Sequence, residues 1–429
     1  MITTIVHCAR AIAGGEEKHD YAFAIENDRI AAVDTAESLR VRYPDATLRW
    51  HSSEVAVVPG FVNGHSHAYQ ILMRGWADDL PFARWRSDAL YKVVPQLTPE
   101  QVYWTFRLAF DEMLAAGITT VTEFFYLNGA GNEHAREAIR AAADCGIRLI
   151  FARTWMDADY APAAFRETID EASKRTASLM DEFPRANVCV APHSLHAASQ
   201  NMIRASANFA TDRDCMLHVH VAEAKYEGEE TLQRFGVTPI ALLERLGALN
   251  DRTVAIHAIY ITEEEKRMLA QTGARVIHNP MTNQYLGDGI CDVTGLQDRG
   301  IPMGLGTDAD VRPSIIEEMR AASLLQKLAH LDGSALGAVP AFALGTSQGA
   351  AALGLCAGTL HAGAYADYVV LDIRTADPWV PLHNQIVYRA QDADVRETYV
   401  GGRLVRTRHQ APPAHAKTAV AKLLPMLKL

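Results

Sequence analysis

Residues 56–67 have the sequence AVVPGFVNGHSH, in which a short apolar run, predicted to be a strand over residues 56–63, leads into two histidines. Further short apolar runs follow along the middle of the chain, each separated from the next by a longer segment with helical periodicity. We predict strands in these runs at residues 119–125, 148–153, 187–192, 215–220, 253–257, 275–279 and 302–307. Eight strand–helix units in succession indicate an α/β fold of the (β/α)₈ type, a TIM barrel.

The segments between the strands support this prediction. Residues 99–114 begin with Pro99 and place apolar side chains at helical spacing, and Gly117 ends the segment. An open, doubly wound parallel sheet is the alternative arrangement of alternating strands and helices. Such a sheet commonly has a glycine-rich phosphate-binding loop after its first strand, and this sequence has none there. The barrel is therefore favoured.

The two ends of the chain differ from its middle. Short alternating strands are predicted at residues 3–8, 21–26 and 29–33, and again at 366–372 and in a hairpin over 397–406 that turns at Gly401-Gly402. β-rich ends on both sides of a barrel indicate one small β-sandwich domain built from both termini. The predicted segments are residues 1–58 (sandwich, N-terminal part), 59–354 (barrel) and 355–429 (sandwich, C-terminal part).

The composition excludes several classes of partner. Hydrophobic residues make up 49% and charged residues 21% of the 429 residues, which is usual for a soluble globular protein. The net charge of −10, without any run of Lys or Arg, predicts no binding to nucleic acid. No apolar stretch approaches the roughly 18 residues of a membrane span, and the start has no signal-peptide pattern. The cysteines lack CxxC spacing, so we predict reduced thiols and a cytoplasmic location.

Histidines and acidic residues fall at or just after the ends of most predicted barrel strands. These residues are His65, His67, Glu123, His193, His220, His257, His278 and Asp308. The carboxyl ends of the strands in a parallel barrel meet at one face, where the active sites of such barrels lie. A single histidine is usually a hydrogen-bonded core or loop residue, but agreement across so many strand ends favours a shared site.

The spacing of these histidines predicts a metal site. His65 and His67 lie two positions apart, so both imidazoles project from the same face of an extended segment. His220 is likewise two residues after His218, and we predict that His220, the nearer to the barrel mouth, binds the metal. Asp308 adds a carboxylate at the end of the last strand. Three imidazoles and one carboxylate suit Zn²⁺, one ion per chain, with Fe²⁺ or Mn²⁺ as alternatives.

Residues near this site are candidates for proton transfer and for holding water or substrate. A water molecule completes the predicted metal shell and loses a proton near neutral pH under the field of the cation. Glu223, three residues after His220, can pass a proton to a departing nitrogen; its alternative role is a first-turn acid at a helix N-terminus. His257 is predicted to polarise the substrate or hold the water, His193 is a second candidate, and Glu123 is a candidate buried structural acid.

Several segments together resemble a known family. They are PGFVNGHSH (59–67), APHSLH (191–196), HVAE (220–223), VAIHA (254–258), GLGTD (304–308) and GTLHAGAYADYVVLD (358–372). Over nearly its whole length the chain resembles the amidohydrolase superfamily, in its single-metal deaminase branch. The resemblance implies a (β/α)₈ barrel flanked by a small β-sandwich. It also implies metal ligands His65, His67, His220 and Asp308, a proton shuttle at Glu223, and His257 against the bound water or substrate. No carboxylated lysine is expected, because the fourth strand offers His193.

One group of features resembles formimidoylglutamate deiminase, which hydrolyses an acyclic formimino group and releases ammonia. The features are His65-Ser66-His67, Gln70, Arg86, EFFY (123–126), His193 and LGDGI (286–290). The resemblance implies that Arg86 pairs with a substrate carboxylate, helped by Tyr126 and Gln70. The alternative is a solvated arginine on a short helix. The fourth-strand motif of those enzymes ends in an arginine, and His196 stands here instead. The predicted substrate-binding residues are Gln70, Arg86, Tyr126, His193 and His196.

A second feature, residues 72–81 (LMRGWADDLP), resembles the adenosine-type, guanine and triazine deaminases. We predict hydrolysis of a non-peptide C–N bond with release of ammonia, with a formimino amino acid as the leading substrate. The alternatives are deamination of a neutral purine, pterin, triazine or nucleoside, opening of a cyclic amide ring, and a non-catalytic barrel. The presence of every ligand argues against the last of these. The predicted partner is a small molecule, and a homodimer is compatible with the family.

Overall fold

The computed structural model describes residues 2–75, 79–375, 377, 379–410, 418 and 421. Within these residues the chain forms two sheets of eight strands each. The strands are β1 (Ile2–Ala13), β2 (Glu16–Glu26), β3 (Arg29–Asp34), β4 (Thr47–His51), β5 (Val55–Pro59), β6 (Phe61–Ser66), β7 (Ile118–Phe125), β8 (Arg148–Trp155), β9 (Cys189–Pro192), β10 (Leu217–Val221), β11 (Thr253–His257), β12 (Arg275–His278), β13 (Met303–Leu305), β14 (Tyr368–Asp372), β15 (Val395–Val400) and β16 (Arg403–Thr407). Part of the segment 72–81, namely residues 76–78, lies outside the described residues.

Helices connect and cover these strands. They are α1 (Ala36–Arg42), α2 (Phe82–Trp85), α3 (Tyr91–Val93), α4 (Pro99–Ala115), α5 (Glu133–Cys145), α6 (Ile169–Glu182), α7 (Gln200–Asp212), α8 (Lys225–Phe235), α9 (Pro239–Arg245), α10 (Glu263–Thr272), α11 (Pro280–Leu286), α12 (Val293–Gln297), α13 (Ile315–His330), α14 (Ala338–Leu344), α15 (Ser347–Ala352) and α16 (Leu382–Tyr388). A π-helical turn, Arg86–Leu90, joins α2 to α3. Among the described residues, none of the helices has the length and apolar character that a membrane crossing requires.

The strands β6 to β13 form a parallel barrel in sequence order. The barrel closes between its first strand and the segment just after its last one, where Ser66 and Asp308 form a parallel bridge. The backbone N–H of His67 donates to the Asp308 carbonyl at 2.9 Å, and that of Thr307 donates to the His65 carbonyl at 3.0 Å. The predicted TIM-barrel fold is confirmed, and the segments that contain three of the four predicted metal ligands, His65, His67 and Asp308, lie at its closure.

The predicted bounds of the first barrel strand, residues 56–63, are wrong. The apolar run 56–63 is divided at Gly60, with β5 in the terminal sheet and β6 in the barrel. A Cβ on Gly60 would lie 2.1 Å from Oγ1 of Thr119, so only glycine allows the chain to pass this close to β7 as it leaves one sheet for the other. Both halves of the run are apolar because both strands are buried. A hydrophobicity pattern therefore does not reveal the division.

The second sheet is built from both ends of the chain, as predicted. Its order is β16-β15-β14-β5-β1-β2-β3, with β4 also paired to β1. The rings of Phe23 on β2 and Tyr368 on β14 lie 5.6 Å apart although two strands separate β2 from β14. The sheet is therefore strongly curled around a shared core. Arg148, on β8, forms a bidentate ion pair with the buried Asp367 at 2.8 and 3.0 Å, which fastens the terminal sheet to the barrel.

Local sequence signals determine where α4, the helix that precedes β7, begins and ends. The Thr98 hydroxyl accepts from the Gln101 N–H, and the Gln101 side chain accepts from the Thr98 N–H, so α4 begins with a capping box followed by Pro99. Gly117 has φ +81°, a left-handed conformation that ends the helix and starts β7. The predicted start and end of this helix therefore agree closely with the structure.

Candidate active site

Histidines and one aspartate from distant parts of the sequence meet at the carboxyl ends of the barrel strands. One ligand atom each of His65, His220, His257 and Asp308 lies within 4.8 Å of all the others in this buried group. His67 joins them, because its Nε2 lies 3.3 Å from Nε2 of His220 and 3.4 Å from Oδ1 of Asp308. The predicted ligands thus converge, and His257 lies beside them.

The separations between these atoms suit a single bound metal ion. Nε2 of His65 lies 3.2 Å from Oδ1 of Asp308 and 3.1 Å from Nε2 of His220. Zinc bonds of 2.0–2.1 Å in a tetrahedron place neighbouring ligand atoms about 3.3 Å apart. The four separations among His65, His67, His220 and Asp308, from 3.1 to 3.4 Å, are close to this value, so one ion could contact all four side chains.

The protonation of the histidines also fits a cation. Nδ1 of His67 donates to the Phe124 carbonyl and Nδ1 of His220 to the His193 carbonyl, both at 2.9 Å. Burial lowers the pKa of His65 and His67 to about 3 and that of His220 well below its ordinary value, so the rings are neutral at pH 7. Both Nε2 lone pairs therefore point into the cluster, and carbonyls fix their direction, as is usual for metal-binding histidines.

His257 has a different set of neighbours. Its Nδ1 lies 3.0 Å from the amide nitrogen of Asn283, which also donates to Oδ2 of Asp288 at 3.2 Å. Its Nε2 faces Oε1 of Glu223 at 3.5 Å and Oδ2 of Asp308 at 3.7 Å. The backbone of His257 is left-handed, with φ +72°, and so is that of Asp308, with φ +50°. Strained backbone of this kind at two strand ends is typical of a functional site.

Glu223 lies at the edge of the cluster, just before α8. Burial raises its pKa well above the ordinary value, and the nearby carboxylates of Asp308, Asp288 and Glu227 raise it further. The role of a first-turn acid belongs to Glu227, whose Oε1 accepts the Ala224 N–H at 3.1 Å. The alternative, structural role for Glu223 therefore loses its support.

A cavity that opens to solvent adjoins the cluster and is lined in part by His67, His220, His257 and Asp308. All five predicted substrate-binding residues line it: Gln70, Arg86, Tyr126, His193 and His196. Aromatic side chains that the sequence analysis did not select also line it: Phe82, Trp85, Tyr91, Tyr160 and Phe165. The first three come from the segment around α2 and α3, and the others follow β8. Nothing in the sequence pattern signals that these two segments meet.

Arg86 is half-buried among aromatic rings and is not a solvated surface residue. Its guanidinium lies 5.7 Å from the ring centres of Phe82 and Tyr160 and 5.8 Å from that of Tyr91. Among the described residues it has no carboxylate partner, since the nearby Asp88 pairs with Arg84 and Lys92. Gln70 and Tyr126, which were predicted to bind the substrate together with Arg86, form a hydrogen bond with each other: Nε2 of Gln70 donates to the Tyr126 hydroxyl at 3.3 Å.

Acidic residues behind the ligands hold the loops in place. Oε2 of Glu123 accepts the Ala68 N–H at 2.9 Å and the Ser66 hydroxyl at 3.3 Å, and burial raises the pKa of Glu123 well above its ordinary value. The Ser66 hydroxyl also lies 2.7 Å from Oδ2 of Asp310. Glu123 thus has the contacts of a buried structural acid. His278 is buried outside the ligand group, and in the described part of the chain neither of its ring nitrogens has a hydrogen-bond partner.

The profile of the amidohydrolase family matches residues 56–405. The chain belongs to the amidohydrolase family. A profile described as an imidazolonepropionase-like composite domain of bacteria also matches residues 22–46. The match to the amidohydrolase family spans the whole barrel and most of the C-terminal strands, so it agrees with the fold and with the His and Asp cluster.

Two relatives that are more than 30% identical to this chain are deaminases. The chain is 34% identical to the 5-methylthioadenosine/S-adenosylhomocysteine deaminase of Syntrophobacter fumaroxidans, over 90% of this chain and 87% of that protein. It is 33% identical to the 5'-deoxyadenosine deaminase of Methanothermobacter thermautotrophicus, over 89% of this chain and 88% of that protein. A solved adenosine deaminase from Xanthomonas campestris with bound zinc has a TM-score of 0.92 at 27% identity, covering 100% of this chain and 99% of that one. This amidohydrolase is a metal-dependent hydrolytic deaminase.

Proposed function

We propose that this amidohydrolase removes the exocyclic amino group of an aromatic heterocycle of the adenosine type, with release of ammonia. The main support is the aromatic wall of the cavity that lies directly above the His and Asp cluster. A flat heterocycle gains stacking area from such rings, whereas an acyclic formimino group does not. The deaminases of adenosine-like compounds among its relatives point the same way. The heterocycle alternative is therefore preferred to the formimino amino acid.

The proposed metal ligands are His65, His67, His220 and Asp308. His257 is excluded because its Nδ1 accepts from the Asn283 amide, which leaves the ring proton on Nε2 and no lone pair there for a cation. Three imidazoles and a carboxylate favour Zn²⁺, and Fe²⁺ or Mn²⁺ would accept the same donors. When bound, the cation would polarise a water molecule and lower its pKa towards neutrality.

The side chains around the cluster supply the proton transfers. Glu223 takes one proton from the attacking water and delivers it to the ring nitrogen as the C–O bond forms. It then takes the second proton from the added hydroxyl and delivers it to the amino group, so that the C–N bond breaks and ammonia leaves as the C=O bond forms. Nε2–H of His257, 3.5 Å from Oε1 of Glu223, donates a hydrogen bond to the attacking oxygen and keeps it on one side of the ring. A heterocycle stacked against the surrounding aromatic side chains would exclude bulk water from the cluster.

A formimino amino acid remains the second candidate because of Arg86. A half-buried guanidinium that faces the cavity without a carboxylate partner in the described chain is suited to an anionic group on the substrate. His196, which stands in the place of a second arginine, is neutral because burial lowers its pKa to about 4. The cavity therefore has one positively charged side chain, Arg86, to bind a substrate carboxylate. A formimidoylglutamate-type site is expected to have two.

Ammonia release over a panel of substrates tests the proposal. The panel contains adenosine, 5'-deoxyadenosine, S-adenosylhomocysteine, a pterin, a triazine, formimidoylglutamate and a cyclic amide. We expect the highest kcat/KM with an adenosine-type compound. Best turnover of formimidoylglutamate would restore the second candidate, and ring opening without ammonia would contradict both. The domain boundaries, at residues 58/59 and 354/355, the cytoplasmic location and a homodimer stay predictions.

A further inference from the structure

His257 receives a kind of hydrogen bond that the proposed ligands do not. Nδ1 of His67 and Nδ1 of His220 face backbone carbonyls, which can only accept hydrogen bonds. Nδ1 of His257 instead faces the amide nitrogens of two buried asparagines, Asn283 at 3.0 Å and Asn279 at 3.3 Å. An amide nitrogen can only donate, so Nδ1 of His257 must be the acceptor. The proton of a neutral ring then lies on Nε2, opposite to its position in the two ligands.

Asp288 fixes the direction of the Asn283 amide. A side-chain amide can turn by half a rotation, and its oxygen would then face the histidine. Nδ2 of Asn283 also lies 3.2 Å from Oδ2 of Asp288, and a turned amide would set its oxygen against this carboxylate. Asn283 is 1% exposed and Asp288 is 9% exposed, so water does not relieve such a conflict. The two contacts therefore agree on one orientation of Asn283.

We propose that Asn283 is a positioning residue that holds His257 in the Nε2–H tautomer, which keeps His257 out of the metal's ligand set and makes it a hydrogen-bond donor in the cavity. Nε2 of His257 lies 3.5 Å from Oε1 of Glu223 and 3.7 Å from Oδ2 of Asp308, and both oxygens accept. In the opposite, Nδ1–H tautomer, Nε2 of His257 would carry a lone pair that points into the cluster, as Nε2 of His67 and of His220 does. The functional consequence rests on the proposed ligand set, but the tautomer can be measured without metal or substrate.

The tautomer is tested by NMR on the metal-free, full-length protein labelled with ¹⁵N-histidine. The signals of His257 are identified by their loss in His257→Gln. We expect the Nε2–H pattern in the wild type and a change to Nδ1–H in Asn283→Asp, because a carboxylate accepts from Nδ1–H. Asn132→Asp, at another buried asparagine, is the matched control and should leave His257 unchanged. An Nδ1–H wild type would overturn the proposal. No change in Asn283→Asp would also overturn it, because Asn279, whose Nδ2 lies 3.3 Å from the same Nδ1, would then set the tautomer. If Asn283→Asp fails to fold, Asn283→Ala replaces it and should lower the Nε2–H population of His257; an unchanged population would overturn the proposal.

Kinetics of the metal-loaded enzyme separate positioning from a general structural role. Asn283→Asp should lower kcat by about 10²-fold while KM stays within about threefold, since the wrong tautomer removes a donor needed for the chemical step. Asn132→Asp should leave both constants unchanged. A loss of kcat in Asn283→Asp without any change of tautomer would assign Asn283 a packing role and reject the proposal. Absence of activity in the wild type would contradict the proposed function and leave the tautomer result standing.

Discussion

Nε2 of His67 and Nε2 of His220 lie 3.3 Å apart, and each presents a lone pair to the other because each Nδ1–H donates to a backbone carbonyl. Two lone pairs at this distance repel unless a cation lies between them. The fold holds them there through carbonyls of Phe124, on β7, and His193, just after β9. The pair therefore indicates a metal ion without reference to any relative.

Loss of a ligand should release the metal. His67→Ala and Asp308→Ala should each lower the metal content from about one ion per chain to a small fraction, because three remaining ligands bind weakly. His257→Ala should keep the metal, since the ring has its proton on Nε2. Metal analysis of the purified variants checks both statements.

His134→Ala, a histidine outside the cavity that bonds to the Leu97 carbonyl, is the control for the loss of an imidazole and should retain the ion. If the metal is retained in His67→Ala but lost in His257→Ala, then His257 is a metal ligand and His67 is not. Full turnover by metal-free wild-type protein would contradict the metal site itself.

Glu223→Gln should keep the metal and lower kcat by roughly 10²-fold or more, because the amide has a similar shape but cannot take the proton from water. Steady-state kinetics with the best substrate of the panel, together with metal analysis, measure this. Glu230→Gln, on the exposed face of α8, should behave like the wild type. Unchanged kcat in Glu223→Gln would move the proton transfer to another group.

Arg86→Lys distinguishes the two candidate substrate classes. For an anionic substrate, KM should rise about tenfold or more with kcat nearly constant, because a point charge cannot replace a bidentate contact. For a neutral nucleoside, both constants should stay unchanged. Arg84→Lys, two residues earlier in α2 but exposed and paired with Asp88, is the matched control. An equal loss for neutral and anionic substrates would mean that Arg86 supports the shape of the cavity and does not bind a charge.

Glu227 should make stability depend on pH. Burial raises its pKa to about 7, while the unfolded chain has the ordinary value near 4.5, so the folded state binds the extra proton between these values. The unfolding free energy contributed by this group therefore falls as pH rises from about 4.5 to 7. Glu227→Gln removes this loss and still accepts the Ala224 N–H. Its Tm relative to the wild type should rise by about 2 °C between pH 5 and pH 8.

Thermal unfolding of Glu227→Gln and of Glu229→Gln, an exposed neighbour on α8, measures this difference. The Glu229 variant should show the same pH dependence as the wild type. A Glu227→Gln variant whose relative Tm falls with rising pH would show that the carboxylate is stabilised, not destabilised, in the folded protein.

The barrel could be predicted because each strand end has a local signature. Short apolar runs, helical segments between them, and a His or Asp after most runs can all be recognised within a few residues, and parallel strands bring these ends together. The division at Gly60 could not be predicted, since it depends on the approach of Thr119 from β7. The roles of individual site residues remain predictions, although the structure brings them to one cavity.

The supporting residues were missed for a physical reason. Asn283 lies in α11, where helical periodicity describes its burial but not its contact with His257. The rings of Phe82 and Tyr160 enter the cavity from connecting segments that have no periodic pattern. Such contacts depend on how loops pack over the barrel, which a pattern of hydrophobic and polar residues does not encode.

The closure of the barrel between Ser66 and Asp308 has a consequence for how the cell makes this protein. His65 and His67 leave the ribosome early, while their partner across the closure is synthesised only after most of the barrel. In the same way, β5 can pair with β14, its neighbour in the terminal sheet, only after β14 has been synthesised. Until residue 308 has been synthesised, the chain therefore lacks one of the four proposed metal ligands and the partner that closes the barrel. We expect a chain truncated before residue 308 to lack both this closure and the proposed ligand Asp308, and so to bind the ion weakly.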